Sequence, residues 1–198
     1  EMVAVCRQLR RRLMIAYRLQ YEPYNLASIR MCREKHIGQL RMMDAEFSFV
    51  IGDPNQWRLK HAMAGGGSLM DIGIYCMQAA RYLTGEEPVS IYAEQWSSDP
   101  VKFREVEESI AFMLRFPSGV IANCYSSYGA DSVDRYRVGG TEGWLEMEPA
   151  FVYEGLVQRV YREGKFTPTL PSTWDQFAAE MDAFSEAIQQ DRDVRTPG

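Results

Sequence analysis

Asp71 and Tyr75 stand one helical turn apart in the run Ala64-Gly65-Gly66-Gly67-Ser68-Leu69-Met70-Asp71-Ile72-Gly73-Ile74-Tyr75, at the head of an apolar-periodic segment entered through glycines. A carboxylate and a phenol at that spacing share a helix face and could act as an acid/base pair. The glycines let backbone approach a partner closely and leave N–H groups free at a helix start. A plainer account exists for the same residues. Ser68 followed three residues later by Asp71 is a capping arrangement with Asp in place of Glu, and Tyr75 then belongs to an amphipathic surface. Placing residues about 100° apart puts Leu69, Ile72, Cys76, Ala79, Ala80 and Leu83 on one face and Asp71, Tyr75, Gln78 and Tyr82 on another.

These residues need elements to hold them. Residues 1–12 read as a helix stub, with Val3, Val5, Cys6 and Leu9 apolar and Arg10, Arg11 and Arg12 following. Residues 13–21 read as a strand, and Pro23 opens a helix at a position where a missing N–H costs nothing, with Gly38 as its natural stop. Asp44, Glu46 and Ser48 alternate with Ala45, Phe47 and Phe49, the period of a half-buried strand. A long irregular stretch follows from Gly52 to Gly67. Strand after strand then comes at 89–96, 109–116, 120–127, 134–138, 143–147 and 157–161, with Pro117-Ser118-Gly119 and Gly139-Gly140-Thr141-Glu142-Gly143 as tight hairpin connections. The chain closes on a helix with Phe177, Met181, Phe184 and Ile188 on its apolar side and Glu180, Asp182 and Glu186 facing out. Helices flanking a run of hairpin-linked strands indicate an α+β fold with a large, mostly antiparallel open sheet and helices on one face.

Composition narrows the function classes. With 198 residues and 46% hydrophobic content the chain supports one sizeable core, expected as a single domain over 1–198. A net charge of -5 with interspersed signs offers no basic stripe for nucleic acid. No apolar run approaches the ~18 residues of a membrane span. Cys6, Cys32, Cys76 and Cys124 form no CxxC pair, and with His36 and His61 as the sole histidines no metal site is expected. The thiols read as reduced and packed. That suits a cytoplasmic setting, whereas an export signal upstream of Glu1 would imply the periplasm. Beginning on Glu1 and ending on Thr196-Pro197-Gly198, the chain reads as part of a longer protein. No strand-turn-helix with GxGxxG is present, so no dinucleotide-binding Rossmann domain is expected within it.

The run GGGSLMDIGIY, preceded by QWRLK and followed by RYLTGEEP, resembles the corresponding stretch of the GFO/IDH/MocA family of sugar oxidoreductases, in particular its glucose-fructose oxidoreductase branch. Ile15-Ala16-Tyr17-Arg18, Tyr21-Glu22-Pro23, Ile37-Gly38, the acidic FREVEES stretch, FPSG, Gly139-Gly140 with Glu142-Gly143, and the terminal VRTPG stand in family order, so the resemblance covers essentially the whole chain. It implies the substrate-binding and assembly domain of a two-domain enzyme whose missing N-terminal Rossmann domain holds NAD or NADP, with residues 1–12 as a stub from the junction.

The resemblance also implies roles. Asp71 corresponds to a sugar-contacting acid, and Tyr75 to the acid/base position where many relatives carry histidine. Arg58 and Tyr128 would contact substrate, and Arg18, Gly66 and Gly67 would approach the cofactor. A junction lysine that would favour the Tyr75 phenolate would lie just before Glu1. The expected reaction is hydride transfer between nicotinamide and a sugar or polyol hydroxyl, and the chain alone would be inactive. The open sheet face would meet the same face of a second copy, giving a dimer or tetramer, because Ile110-Ala111-Phe112-Met113-Leu114 and Val120-Ile121-Ala122 are apolar at every position. Trp57, Trp96 and Trp144 read as core or interface packing, and Lys60 as a solvated loop charge. Alternatives are an NAD-dependent glycosidase, a deoxysugar-pathway dehydrogenase, or a non-enzymatic assembly module on the same fold.

Overall fold

A computed structural model describes residues 1–168 and 175–197. The domain expected over 1–198 has two compact parts: Glu1–Ala27 with Ser172–Gly198, and Ser28–Pro171.

In the terminal part, α1 (Met2–Gln8) buries none of its residues. The strand expected over 13–21 is not formed. Met14 makes a single isolated bridge to Pro197, reinforced by Ile15 N–H donating to the Thr196 carbonyl at 2.8 Å and the Thr196 hydroxyl donating to the Ile15 carbonyl at 2.6 Å. Pro197 has no N–H with which to extend a ladder, and Arg18–Gln20 winds into a 3-10 turn instead. Pro23 does open a helix, α2 (Pro23–Arg33).

The terminal helix α5 (Gln176–Gln189) departs in part from the face expected for it, although Asp182 and Glu186 face out as read and Phe184 is half-buried. Phe177, Met181 and Ile188 are exposed, while Gln176 and Glu180 are buried. The reason is Arg18: buried itself, it donates to the Gln176 side-chain oxygen at 2.8 Å and lies 5.9 Å from the Phe177 ring. Its charge also partly offsets the burial that raises the Glu180 pKa. Asp175 caps the helix, accepting from the N–H groups of Phe177 and Ala178 at 2.9 and 3.2 Å.

The larger part is an eight-stranded sheet in the order β2-β3-β4-β1-β5-β6-β7-β8. Its strands are β1 (Leu40–Ser48), β2 (Ser90–Trp96), β3 (Ser109–Arg115), β4 (Ile121–Ser127), β5 (Val133–Gly140), β6 (Gly143–Met147), β7 (Gln158–Arg162) and β8 (Lys165–Pro168). Neighbours are antiparallel except β1 and β4, which run parallel with Ala45 opposite Cys124. The α+β class and the two hairpins stand as read. The supposedly irregular stretch before Gly67 contains a 3-10 turn, Trp57–Leu59, and a short helix, α3 (His61–Ala64).

Alternation along the central strands sorts their side chains cleanly. Ile110, Phe112, Leu114, Ala122, Cys124 and Ser126 are buried on the covered face. Ala111, Met113, Arg115, Ile121, Asn123 and Tyr125 point the other way, and Met113 and Ile121 remain 39% exposed. Each buried Leu or Phe on the covered face contributes roughly 1.5–3 kcal/mol from leaving water. Across the open face the register aligns Asp44, Arg137, Glu146 and Arg159 in one row of alternating charge, with Glu46 beside Arg135 in the next. Opposite charges on neighbouring strands are mutually stabilising, and the Arg135–Glu46 and Arg159–Glu146 pairs close to 2.7 and 3.1 Å.

Candidate active site

The glycine-rich run enters a π-helical turn, Leu69–Gly73, that passes into α4 (Ile74–Thr84). A π turn spends about one more residue per turn than an α-helix and recurs at functional sites. Gly73 permits it here, since a Cβ at that position would stand 2.8 Å from the Ser126 hydroxyl on β4 and 3.0 Å from a Leu69 methyl. Beyond it Ile72, Cys76, Ala80 and Leu83 are buried, as their spacing indicated.

Ser68 does not cap the helix. It is fully buried, and its hydroxyl donates to the Ser126 carbonyl at 3.3 Å while accepting from the Ser126 hydroxyl at 3.2 Å. The cap comes from another segment: the two carboxylate oxygens of Glu107 accept from the N–H groups of Gly67 and Leu69, each at 2.9 Å. A Cβ on Gly67 would lie 2.0 Å from the Glu107 carbonyl oxygen, so only glycine fits. Gly67, which the family resemblance places beside the cofactor, has its N–H engaged within the domain.

Asp71 is free of capping duty and gathers two donors on one oxygen. Its Oδ2 accepts from Arg58 Nε at 2.8 Å and from the Tyr128 hydroxyl at 2.9 Å. Three residues picked out separately in the sequence thus meet at one point. Arg58 is steadied from outside by Trp57, whose ring lies 4.8 Å below its guanidinium. Tyr128 is 1% exposed and packs with Ile51, Leu59, Ile72, Phe103 and Val106, its ring 5.3 Å from Phe49. Burial first, and then the Asp71 charge with its hydrogen bond, push the phenol well above its ordinary pKa of 10.0. Tyr128 is therefore a proton-bearing donor across the neutral range.

Tyr75 follows Asp71 by one turn. It is half-buried, edge-on to Phe47 with ring centroids 5.6 Å apart, and 5.8 Å from Phe151. Gly66 is half-buried and joins the wall of a cleft of about 580 Å³ shared with His61, Trp96, Arg104 and Glu105. Lys60 is not a free loop charge: its ammonium lies 3.7 Å from Glu105. Trp57 and Trp96 are exposed rather than core residues in this chain, whereas Trp144 stacks on Tyr161 at 5.7 Å. Arg18 belongs to the terminal part.

Sequence reasoning missed Glu107 as the cap and missed the π turn. Both left signals: Gly73 interrupts an otherwise helical pattern, and FREVEES concentrates acids next to a strand.

The fold and the sequence have counterparts among known proteins. The profile of the GFO/IDH/MocA C-terminal domain matches residues 27–146. A D-xylose 1-dehydrogenase [NADP(+)] from Haloarcula marismortui is 32% identical over the whole of this chain, which spans 56% of that protein. A crystal structure of aldose-aldose oxidoreductase from Caulobacter crescentus, complexed with glycerol, is 45% identical with a TM-score of 0.93, covering 99% of this chain and 59% of the other. A 3-ketoreductase from Actinomadura kijaniata, solved with NADP and TDP-benzene, shares the fold at 24% identity and a TM-score of 0.81, over 97% of this chain and 59% of that one. The sequence match and the fold agree, and the chain belongs to the GFO/IDH/MocA C-terminal domain family.

Proposed function

We propose that this chain is the substrate-binding and acid/base part of an NAD(P)-dependent sugar or polyol oxidoreductase. The observation that carries the reading is the convergence of Arg58 and Tyr128 on one oxygen of Asp71. That orients the carboxylate and leaves its other oxygen with acceptor capacity for ligand hydroxyls.

In this reading Asp71 fixes ring hydroxyls, Arg58 and Tyr128 hold Asp71, and Tyr75 takes the proton of the reacting hydroxyl. The cofactor supplies the hydride acceptor and is held by residues outside this chain. The helix start here does not fit it, since the N–H groups that would cradle a phosphate are occupied by Glu107. Gly66 would line its approach, and Arg18 would have to give up Gln176 to reach it. Exposed Met2, Val5, Leu9, Phe177, Met181 and Ile188 in the terminal part support a further domain packed against that part. The open sheet face, with Met42, Met113, Ile121 and Tyr125 exposed, supports a two-fold, self-complementary dimer.

The test uses the chain joined to its dinucleotide-binding domain and follows aldose-dependent reduction of NADP and NAD. Tyr75→Phe should lower kcat by about 100- to 10,000-fold with little change in KM, while Asp71→Asn should damage both. Full turnover in Tyr75→Phe would remove it as the base. The chain alone should show no turnover, and micromolar NADP binding to it in calorimetry would contradict the division of labour.

A further inference from the structure

Every member of the Arg58, Asp71 and Tyr128 cluster is tied to the same short stretch of chain, residues 103–108. Glu105 takes the end that follows Arg58: its carboxylate accepts from the His61 N–H at 3.2 Å and stands 3.7 Å from the Lys60 ammonium. Glu107 takes the end that precedes Asp71, through the N–H groups of Gly67 and Leu69, while its carbonyl accepts from the Ser68 N–H at 3.4 Å. Glu108 takes Tyr128: its carbonyl accepts from the Tyr128 N–H at 2.9 Å. The Glu108 carboxylate is in turn fixed by the Ser98 hydroxyl at 2.7 Å. From the same stretch, Phe103 and Val106 pack into the apolar cluster around the Tyr128 ring.

We propose that residues 103–108 are the positioning element of the carboxylate site, with Glu107 the residue that sets Asp71. Glu107 touches none of the reacting groups. It acts by clamping the N–H groups of Gly67 and Leu69 at the head of the π turn, so that the carboxylate four residues beyond Gly67 arrives at Arg58 and Tyr128 together. Two oxygens are needed for two donors. A glutamine keeps one acceptor and turns an N–H group toward the second backbone N–H, and an alanine keeps none. The placement of Asp71 stands on the geometry alone, whereas the purpose of that placement rests on the sugar oxidoreductase reading.

The test separates the two. In the 15N-labelled chain the Arg58 Nε–H signal, assigned by its loss in Arg58→Lys, reports the bond to Asp71 through its exchange with water. Glu107→Ala should speed that exchange by about tenfold or more, and Glu107→Gln by a smaller factor, as local opening replaces a fixed bond. Asp175→Ala, which removes the cap of α5, serves as the control and should lower stability without touching the Arg58 signal. Unchanged Arg58 exchange in Glu107→Ala overturns the proposal. So does an equal change in Asp175→Ala, which would mean general loosening. Should Glu107→Ala fail to fold, Glu107→Gln decides: slower-than-tenfold but measurable acceleration supports the clamp, and none overturns it. With the dinucleotide-binding domain attached, Glu107→Gln should raise KM for the aldose along with lowering kcat. Absence of aldose activity in the unaltered enzyme would refute the sugar reading while the exchange result still decides the clamp.

Discussion

Removing the Tyr128 hydroxyl and the Asp71 carboxylate separately and together gives a direct measure of the bond between them. The bond is 2.9 Å long, and its donor belongs to a side chain that is 1% exposed. A hydrogen bond to a charged acceptor contributes about 1.5–3 kcal/mol, and a buried hydroxyl stranded without a partner costs about 1–3 kcal/mol. The Asp71 side chain is 26% exposed and that of Arg58 35%, so solvent screening favours the lower end of those ranges. Asp71→Ala strands the Tyr128 hydroxyl and takes a partner from Arg58, whereas in a Tyr128→Phe background only the Arg58 loss, common to both, remains. The carboxylate deletion should therefore cost about 1.5 kcal/mol less in the Phe background. Tyr128→Phe alone should lower Tm by about 3–6 °C for a chain of this size. Urea denaturation followed by tryptophan fluorescence on the four proteins yields the coupling. Additivity to within about 0.3–0.5 kcal/mol would show that the pair does not interact in solution, and the assignment of Tyr128 to the site would fall.

Other consequences follow from burial. The folded phenol of Tyr128 is raised above its ordinary value, and Cys32 and Cys124 are pushed up to about 12 from 9.0 by burial. Raised values stabilise the fold fully below the unfolded pKa and lose that contribution as pH climbs, so stability should decline from about pH 9 upward. Tyr128→Phe should remove the part that begins near pH 10, and a flat denaturation midpoint between pH 8 and 11 would contradict this. With a thiol reagent at pH 8, half-buried Cys6 should react before buried Cys32, Cys76 and Cys124, which should wait for denaturant. Simultaneous labelling of all of them in the native state would count against the covered face. Met113 is on the open face and Phe112 beneath the helices. Met113→Glu should dissociate the proposed dimer with the fold intact while Phe112→Glu unfolds the chain, as read by ultracentrifugation and circular dichroism; a Met113→Glu dimer would remove the open face as the interface.

What was legible in the sequence was local. Strand runs in β2 to β7 and the hairpin at Pro117-Ser118-Gly119 follow from alternation and turn chemistry, which depend on near neighbours. The parallel pairing of β1 with β4 joins residues as far apart as Ala45 and Cys124 and has no local signature. Residues 13–21 failed for a related reason: strand propensity means little without a ladder, and Pro197 cannot extend one. In α5 the apolar period was real, yet Arg18 drew Gln176 and Glu180 inward. The same competition reassigned Ser68, where a glutamate from a remote segment displaced a capping pattern complete in four residues. Asp71 was singled out for its chemistry, and Arg58 and Tyr128 with the help of the family resemblance, one by one. Their meeting is a tertiary fact.

In the proposed reaction the two tyrosines near Asp71 divide the chemistry between them. Tyr128 is enclosed by Ile51, Phe103 and Val106 and donates to a carboxylate. Ionising it would place a second negative charge against Asp71 in an apolar surround, which is why its proton stays in place. A group so held can orient but cannot cycle through a proton at neutral pH. Tyr75 meets ring edges and faces from Phe47 and Phe151 and keeps part of its surface open. Groups with neighbouring positions and opposite environments are how one site assigns orientation to one residue and proton transfer to another. In the proposed reaction the proton transfer is assigned to Tyr75, one turn beyond Asp71, with Tyr128 keeping the carboxylate aimed.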